Sequence, residues 1–241
     1  MRPPPPGFVH PDLGCVVKIG GSLTRDLAEA SRLVTALAAL AGSGHRFLVV
    51  PGGGRPDKAI EAIDRERPLA ADTAHRACAL AQDQTGLILA DPGIAHGTVA
   101  CATVGRCLAA LSQGKLPILL PSRLLFAAEP VEPSWDVTSD AVGAWVAWLL
   151  GAERYAVLTN VDGVYATGRV GEPEHLLPEV AAKDLAAMGH TSVDACAAAF
   201  IAAWGIEAAV LNGSHPERIV DWIERRPCRG TLIRPSQQAG I

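Results

Sequence analysis

The chain has 241 residues, 49% of them apolar, and a formal net charge of −4. That length suits one large α/β domain or two small ones, and the apolar fraction allows a substantial core. No surplus of basic residues is available to hold a polyanion, so nucleic acid is not an expected partner and any phosphate recognition must be local.

Only four of the 21 lysines and arginines are lysines: Lys18, Lys58, Lys115 and Lys183. Where arginine dominates so far, each surviving lysine raises the question of a site that needs a compact point charge rather than a planar fork. The six cysteines form no CxxC pair and no zinc-ligand spacing, and read as reduced thiols in apolar surroundings. The opening "MRPPPPGFVHPDLG" lacks the apolar stretch of a secretory signal. No apolar run reaches the ~18 residues that span a bilayer. The expectation is a cytoplasmic protein without a membrane partner, residues 1–12 forming a flexible polyproline arm.

After the arm, "LGCVVKI" is a short run rich in β-branched residues and predicts a buried strand. "TRDLAEASRLVTALAALAGSG" has helical apolar spacing and a glycine stop. "FLVVPGGG" predicts a second strand ending in a second glycine cluster, and "PDKAIEAIDRE" and "LAADTAHRACALAQDQTGLILAD" predict helices. Then come a helix over "GTVACATVGRCLAALSQG", a strand in "LPILLPS" and a strand in "RLLFAAE". "VTSDAVGAWVAWLLGA" is a helix opened by good N-terminal residues. "RYAVLTNVDGVY" runs from a strand into a turn. "SVDACAAAFIAAWG", "IEAAVLNGS", "HPERIVDWIERR" and "GTLI" close the chain as helix, strand, helix and strand. Such alternation predicts an α/β fold, a three-layer αβα sandwich around a mostly parallel sheet.

In such sheets ligands bind beyond the carboxyl ends of the strands. "KIGGSL", "VVPGGG" and "LTNVDGVY" lie at such ends, and their glycines let backbone N–H groups approach an anion. The residues alone leave two readings of Gly20 and Gly21 open: a phosphate cradle beside Lys18, or merely a tight turn. Neither loop fits GxxxxGK[ST] or GxGxxG.

"VVKIGGSL", "VVPGGG", "TSDAVGAWVAWLLGA" and "LTNVDGVY", in this order and at these spacings, resemble the amino acid kinase family. The resemblance extends over about residues 13–234, through the closing "AAVLNGSHPERIVDWIERRPCRGTLI". It implies one kinase-like domain over 13–241, with an acceptor-binding half to about residue 133 and a nucleotide-binding half from about 134. It implies phosphoryl transfer from ATP with Mg²⁺, in which positioning and electrostatics do most of the work. By analogy, Lys18 bridges the transferring group, Gly20, Gly21 and Ser22 donate to phosphate oxygens, and Asp140 holds Lys18 or helps organise Mg²⁺. The alternative for Asp140 is a plain helix N-cap, and for Asp162-Gly163 an ordinary turn dipeptide. Thr159, Asn160, Asp162, Gly163 and Tyr165 are expected around the nucleotide, with Lys183 able to reach ATP or simply solvated. Gly52, Gly53 and Gly54 are expected to line the acceptor site.

One departure matters. Acetylglutamate-type kinases carry a lysine where this chain has "GHTSVDACAAAF", and an aspartate opening that helix is more like uridylate kinases. This favours a phosphate monoester as acceptor over a carboxylate. "HRACALAQDQTG" and "SWDVTSDAVGAWVA" resemble the branch that converts [5-(aminomethyl)furan-3-yl]methyl phosphate to its diphosphate in methanofuran-type cofactor biosynthesis. On that resemblance His75, Trp135 and Asp136 are acceptor-side residues, His75 alternatively being a plain helix histidine. A carboxylate kinase, a uridylate kinase and a non-catalytic nucleotide binder of the same fold are the alternatives. The family resemblance also implies a homo-oligomer. His10, His45, His96, His175, His190 and His215 show no metal-ligand spacing.

Overall fold

The computed structural model describes residues 12–166, 169–189 and 191–235. The expected polyproline arm, but for Asp12, lies outside the described residues, as does His190.

The first half alternates as the apolar pattern predicts. Strand β1 (Cys15–Ile19) leads through a one-turn 3₁₀ helix (Gly21–Thr24) into α1 (Leu27–Gly42). Helix α1 begins at Leu27 because the Asp26 carboxylate accepts from the N–H groups of Ala28 and Glu29. Strand β2 (Phe47–Pro51) is followed by α2 (Gly54–Glu66) and α3 (Ala71–Leu89).

Two expectations fail in the next stretch. The segment "GTVACATVGRCLAALSQG" is not one helix: β3 (Thr98–Cys101) comes first, and α4 (Val104–Ser112) starts only after Thr103, whose hydroxyl accepts from Arg106 N. The β-branched Thr98 and Val99 pair in parallel with β4 (Leu116–Leu119), and that pairing overrides the helical spacing of the alanines. The segment "RLLFAAE" is not a strand but α5 (Ser122–Ala128). It has no β-branched residue, and a short apolar run does not by its spacing separate strand from helix.

The second half holds α6 (Ser139–Leu149), β5 (Arg154–Thr159), β6 (Glu179–Ala181), α7 (Ala182–Ala187), α8 (Ala195–Trp204), β7 (Glu207–Asn212), α9 (Pro216–Ile223) and β8 (Thr231–Arg234). β6 was not foreseen. Three residues of mixed exposure carry too little pattern to find.

Among the described residues eight strands form one sheet in the order β3-β4-β2-β1-β5-β7-β8-β6, in which the β7–β8 pairing alone is antiparallel. Side chains alternate cleanly across it. Val16, Leu48, Val50, Tyr155 and Val157 face the layer containing α4, α6 and α8. Val17, Ile19, Phe47, Val49 and Leu158 face α1 and α9. Both faces are covered, which is why the inner strands read as continuous apolar runs. From β1 the chain moves outward to β2, β4 and β3, then returns to lay β5 on the other flank of β1. Beside β1, where the winding reverses, the strand ends open a crevice.

Candidate functional site

Lys18 is the fourth residue of β1, pairing with Val50 on one side and Val157 on the other. Strand alternation places its side chain on the α6 face of the sheet. There Lys18 Nζ lies 2.5 Å from Asp140 Oδ1, an ionic contact and the one polar contact that oxygen makes among the described residues.

Asp140 is the second residue of α6. The N-cap of that helix is Thr138, whose hydroxyl accepts from Asp140 N at 3.1 Å. The capping alternative for Asp140 therefore does not hold. Its backbone is pinned by the buried Tyr155, whose hydroxyl donates to Asp140 O at 2.9 Å. Gly143 makes this possible: a Cβ there would lie 2.5 Å from Tyr155 Oη.

A second carboxylate completes the floor. Asp194 caps α8, its Oδ1 accepting from Ala197 N at 2.6 Å and its Oδ2 from the Thr138 hydroxyl at 2.5 Å. Its own N–H reaches Asp140 Oδ2 at 3.4 Å. Burial, and then the charge of Asp140, push the Asp194 pKa up against the Thr138 and Ala197 hydrogen bonds and Lys18.

Above this floor the two glycine loops touch backbone to backbone. A Cβ on Gly21 would sit 2.7 Å from Gly54 N, and one on Gly52 the same distance from Gly21 N. Gly54 opens α2 at φ +63, a left-handed conformation that suits glycine. The first N–H groups of α2 have no partner within the helix, and its N-terminal end favours an anion.

These elements enclose a cleft of about 490 Å³. Of the residues expected from the sequence, Lys18, Gly20, Gly21, Ser22, Gly53, Gly54, Asp140, Thr159 and Asn160 line it. Gly52 instead fills the junction between the two loops. Asp162, Gly163 and Tyr165 are not in its lining. The Asp162 carboxylate is held by Arg218, Arg229 and Asn212. Gly163 packs against Thr231, while Tyr165 is buried and bridges to Leu176, so its ring is not presented to the cleft. Lys183 is exposed on α7 outside the cleft.

His75 lies in a separate hollow of about 380 Å³ with Phe126 and Glu129. Burial lowers its pKa against the pull of Asp72. Trp135 is 46% exposed and lines a small cavity beside His75, and Asp136 is exposed in the segment before α6. None of these three lines the cleft.

The cleft also contains Arg25, Thr138, Thr191 and Ser192, which the sequence pattern did not single out, together with Asp194 and with Arg55 and Lys58 of α2, cations beside the second glycine loop that could serve an acceptor. Asp194 had a visible signal as the acid opening "DACAAAF". Arg25 had none, because it follows the glycine loop in sequence without belonging to its pattern. Arg55 Nη2 donates to Arg25 O at 2.6 Å, tying the two loops together at the mouth.

A nucleotide-sized crevice at the strand ends, with a lysine on its floor, two buried carboxylates and a glycine-paired helix start, has the parts of a phosphoryl-transfer site. Residues 14–212 match the amino acid kinase family, and the chain belongs to that family. It is an ATP-dependent phosphotransferase. Within the family it is 32% identical, over 87% of its length and 92% of the other's, to the [5-(aminomethyl)furan-3-yl]methyl phosphate kinase of Methanocaldococcus jannaschii. It is 28% identical to the uridylate kinase of Natronomonas pharaonis over 92% of this chain and 99% of that one. Its fold is that of the Archaeoglobus fulgidus uridylate kinase, at a TM-score of 0.71 and 18% identity, covering 92% of this chain and all of the other. No helix among the described residues is long and apolar enough to cross a membrane.

Proposed function

We propose that the acceptor is a phosphate monoester, and specifically [5-(aminomethyl)furan-3-yl]methyl phosphate, which would leave as the diphosphate. The observation that carries this reading is the charge layout of the cleft. Arg25, Arg55 and Lys58 gather on the wall built by the two glycine loops, while the carboxylates of Asp140 and Asp194 lie at the floor. A wall with three cations suits a dianionic acceptor better than a single carboxylate. Asp57 lines the same wall and offers a carboxylate to an aminomethyl ammonium. The likeness to the Methanocaldococcus jannaschii protein supports the same choice.

In this reading the half of the chain up to about residue 133 receives the acceptor and the half from about 134 receives ATP. Lys18 meets the phosphoryl group in flight, where negative charge spreads over its equatorial oxygens. Asp140 keeps the ammonium of Lys18 aimed, and the opening N–H groups of α2 take acceptor oxygens. Thr159, Asn160, Thr191 and Ser192 form the nucleotide side. Magnesium fits the floor: Asp140 Oδ1 has no hydrogen bond beyond its ion pair, and this ion is commonly taken by one or two carboxylates plus substrate phosphates. When bound, it neutralises phosphate charge.

Phosphorus NMR of the protein with MgATP and separate acceptors tests the proposal. The acceptors are the furan phosphate, UMP, isopentenyl phosphate, acetylglutamate and aspartate. A diphosphate resonance formed with the furan phosphate alone is the expected result. Product with UMP alone would reassign the acceptor to a nucleotide. Product with an amino-acid carboxylate alone, or ATP left intact with all five, would overturn the phosphate-monoester reading.

A further inference from the structure

The loop leaving β5 carries Asn160, which lines the cleft, and Asp162, which does not. Asp162 Oδ1 accepts from Arg218 Nη1 at 2.6 Å and from Asn212 Nδ2 at 3.0 Å, and its Oδ2 lies 3.0 Å from Arg229 Nη2. The three donors come from the end of β7, from α9, and from the segment between α9 and β8. Arg218 and Asp162 are largely buried, whereas Arg229 is half exposed. The same knot reaches the cleft rim through the backbone. Gly213 N donates to Thr159 O at 2.8 Å, and Asn212 Oδ1 accepts from Ser214 N.

A carboxylate with three donors on it has little left to offer a ligand. Burial alone would raise the Asp162 pKa, but the Asn212 and Arg218 hydrogen bonds and the Arg218 and Arg229 charges outweigh it and bring it down. The group therefore stays ionised at neutral pH and its bonds are charge-assisted, the strong kind. Asn212 and Gly213 join β7 to the end of β5, and Arg218 adds α9. One carboxylate ties the rim to three separate elements.

We propose that Asp162 is a positioning residue which, with Arg218 and Arg229, locks the Thr159–Asn160 rim in the shape that receives the nucleotide. This rests on the reading above that the rim is the nucleotide side. Asp162 acts through the loop, and the ligand itself meets Thr159 and Asn160.

The test is calorimetric titration of ATP without acceptor into the wild-type protein, Asp162→Asn, Arg218→Ala, the double variant and Arg229→Ala. Melting temperatures and steady-state KM values for ATP and acceptor accompany it. Each of the first two substitutions is expected to weaken ATP binding about tenfold, the size of one lost charged hydrogen bond. The double variant is expected to be no weaker than the worse single one, as members of one interaction are. Arg229→Ala should cost less, Arg229 itself being half exposed. The KM for ATP should rise and that for the acceptor stay unchanged. Affinity lost in Asp162→Asn but kept in Arg218→Ala, or losses that multiply in the double variant, would mean that Asp162 touches the nucleotide and would overturn the proposal. A lowered melting temperature with unchanged ATP affinity would reduce the knot to a structural tie and overturn it equally. Should Arg218→Ala not fold, Arg218→Lys and Arg229→Ala carry the same comparison. Wild-type protein that bound no ATP would overturn the nucleotide reading itself, an outcome distinct from the others.

Discussion

Lys18 Nζ stands 2.5 Å from Asp140 Oδ1, both side chains about nine-tenths buried, and joins the end of the central strand β1 to the first turn of α6. The contact does two jobs that a pair of substitutions can separate. In the proposed reaction Lys18 meets charge that develops only during transfer, so Lys18→Met should cut turnover by ~100-fold or more and leave ATP affinity within a few-fold. As half of a buried pair, its loss also strands Asp140 beside Asp194, at about 3–5 kcal/mol of stability. Lys18→Met combined with Asp140→Leu should recover most of that stability, because an apolar pair replaces an unpaired charge, but none of the activity. Denaturant midpoints and turnover measured on both variants check this. A double variant as unstable as the single one would show that the ion pair is not what the floor depends on.

Asp194 gives the floor a pH dependence of definite sign. Its carboxyl pKa is raised above the ordinary 3.8 by burial and by the charge of Asp140. Folding thus binds a proton that the unfolded chain holds less tightly. The stability from this group is fully present below about 3.8 and is lost as pH rises through the higher folded value. Asp194→Asn cannot titrate, so its melting temperature relative to the wild type should improve as pH rises from about 3.8 toward neutrality. A difference that stayed flat over this range would mean that Asp194 is not strained by its neighbour.

The glycines in the two loops are required for a reason that the opening pattern only half suggests. Gly21 has no room for a side chain because the facing loop arrives as backbone, with Gly54 N 2.7 Å and Gly54 Cα 2.9 Å from where a Cβ would be. No flexible atom can yield there. Gly21→Ala should cost about 1–3 kcal/mol, as overpacking does, and lower activity by prying the loops apart. Gly105 offers the contrast. It lies in α4 with nothing within 4 Å of its Cβ position, so Gly105→Ala should gain about 0.5–1 kcal/mol. Thermal melts of the two variants should move in opposite directions.

Wherever local pattern governs, the sequence carried the outcome. The apolar runs at 15–19, 47–51 and 154–159 became the central strands, and the glycine clusters and Lys18 came together where these strands end. What it hid depended on partners distant along the chain. Thr98–Cys101 is a strand because Leu116–Leu119 lies beside it, and no spacing within "TVAC" says so. The Asp162 carboxylate points to Arg218 and Arg229, more than fifty residues on, and the loop motif alone gave no sign that its charge was taken. Arg25 enters the cleft because its carbonyl is held by Arg55, a bond visible only once the two loops have met.

Lys183 shows the same limit from the other side. As one of four lysines in an arginine-rich chain it drew attention as a candidate for ATP, in place of the lysine that acetylglutamate-type kinases carry further along. In the structure it is exposed on the short helix α7 and outside the cleft, whose proposed nucleotide side is lined instead by Thr159, Asn160, Thr191 and Ser192. Four uncharged polar side chains can bind and orient phosphate through hydrogen bonds, and the cations are supplied from the opposite wall. A solvated charge outside the cleft is also largely screened beyond about 8–10 Å at ordinary ionic strength. Lys183→Ala should therefore leave kcat and the KM for ATP within about twofold, and stability within about 0.5 kcal/mol. Steady-state kinetics at low and at physiological salt are the check. A loss of tenfold or more at both would place Lys183 on the nucleotide after all, and would require α7 to move when ATP binds.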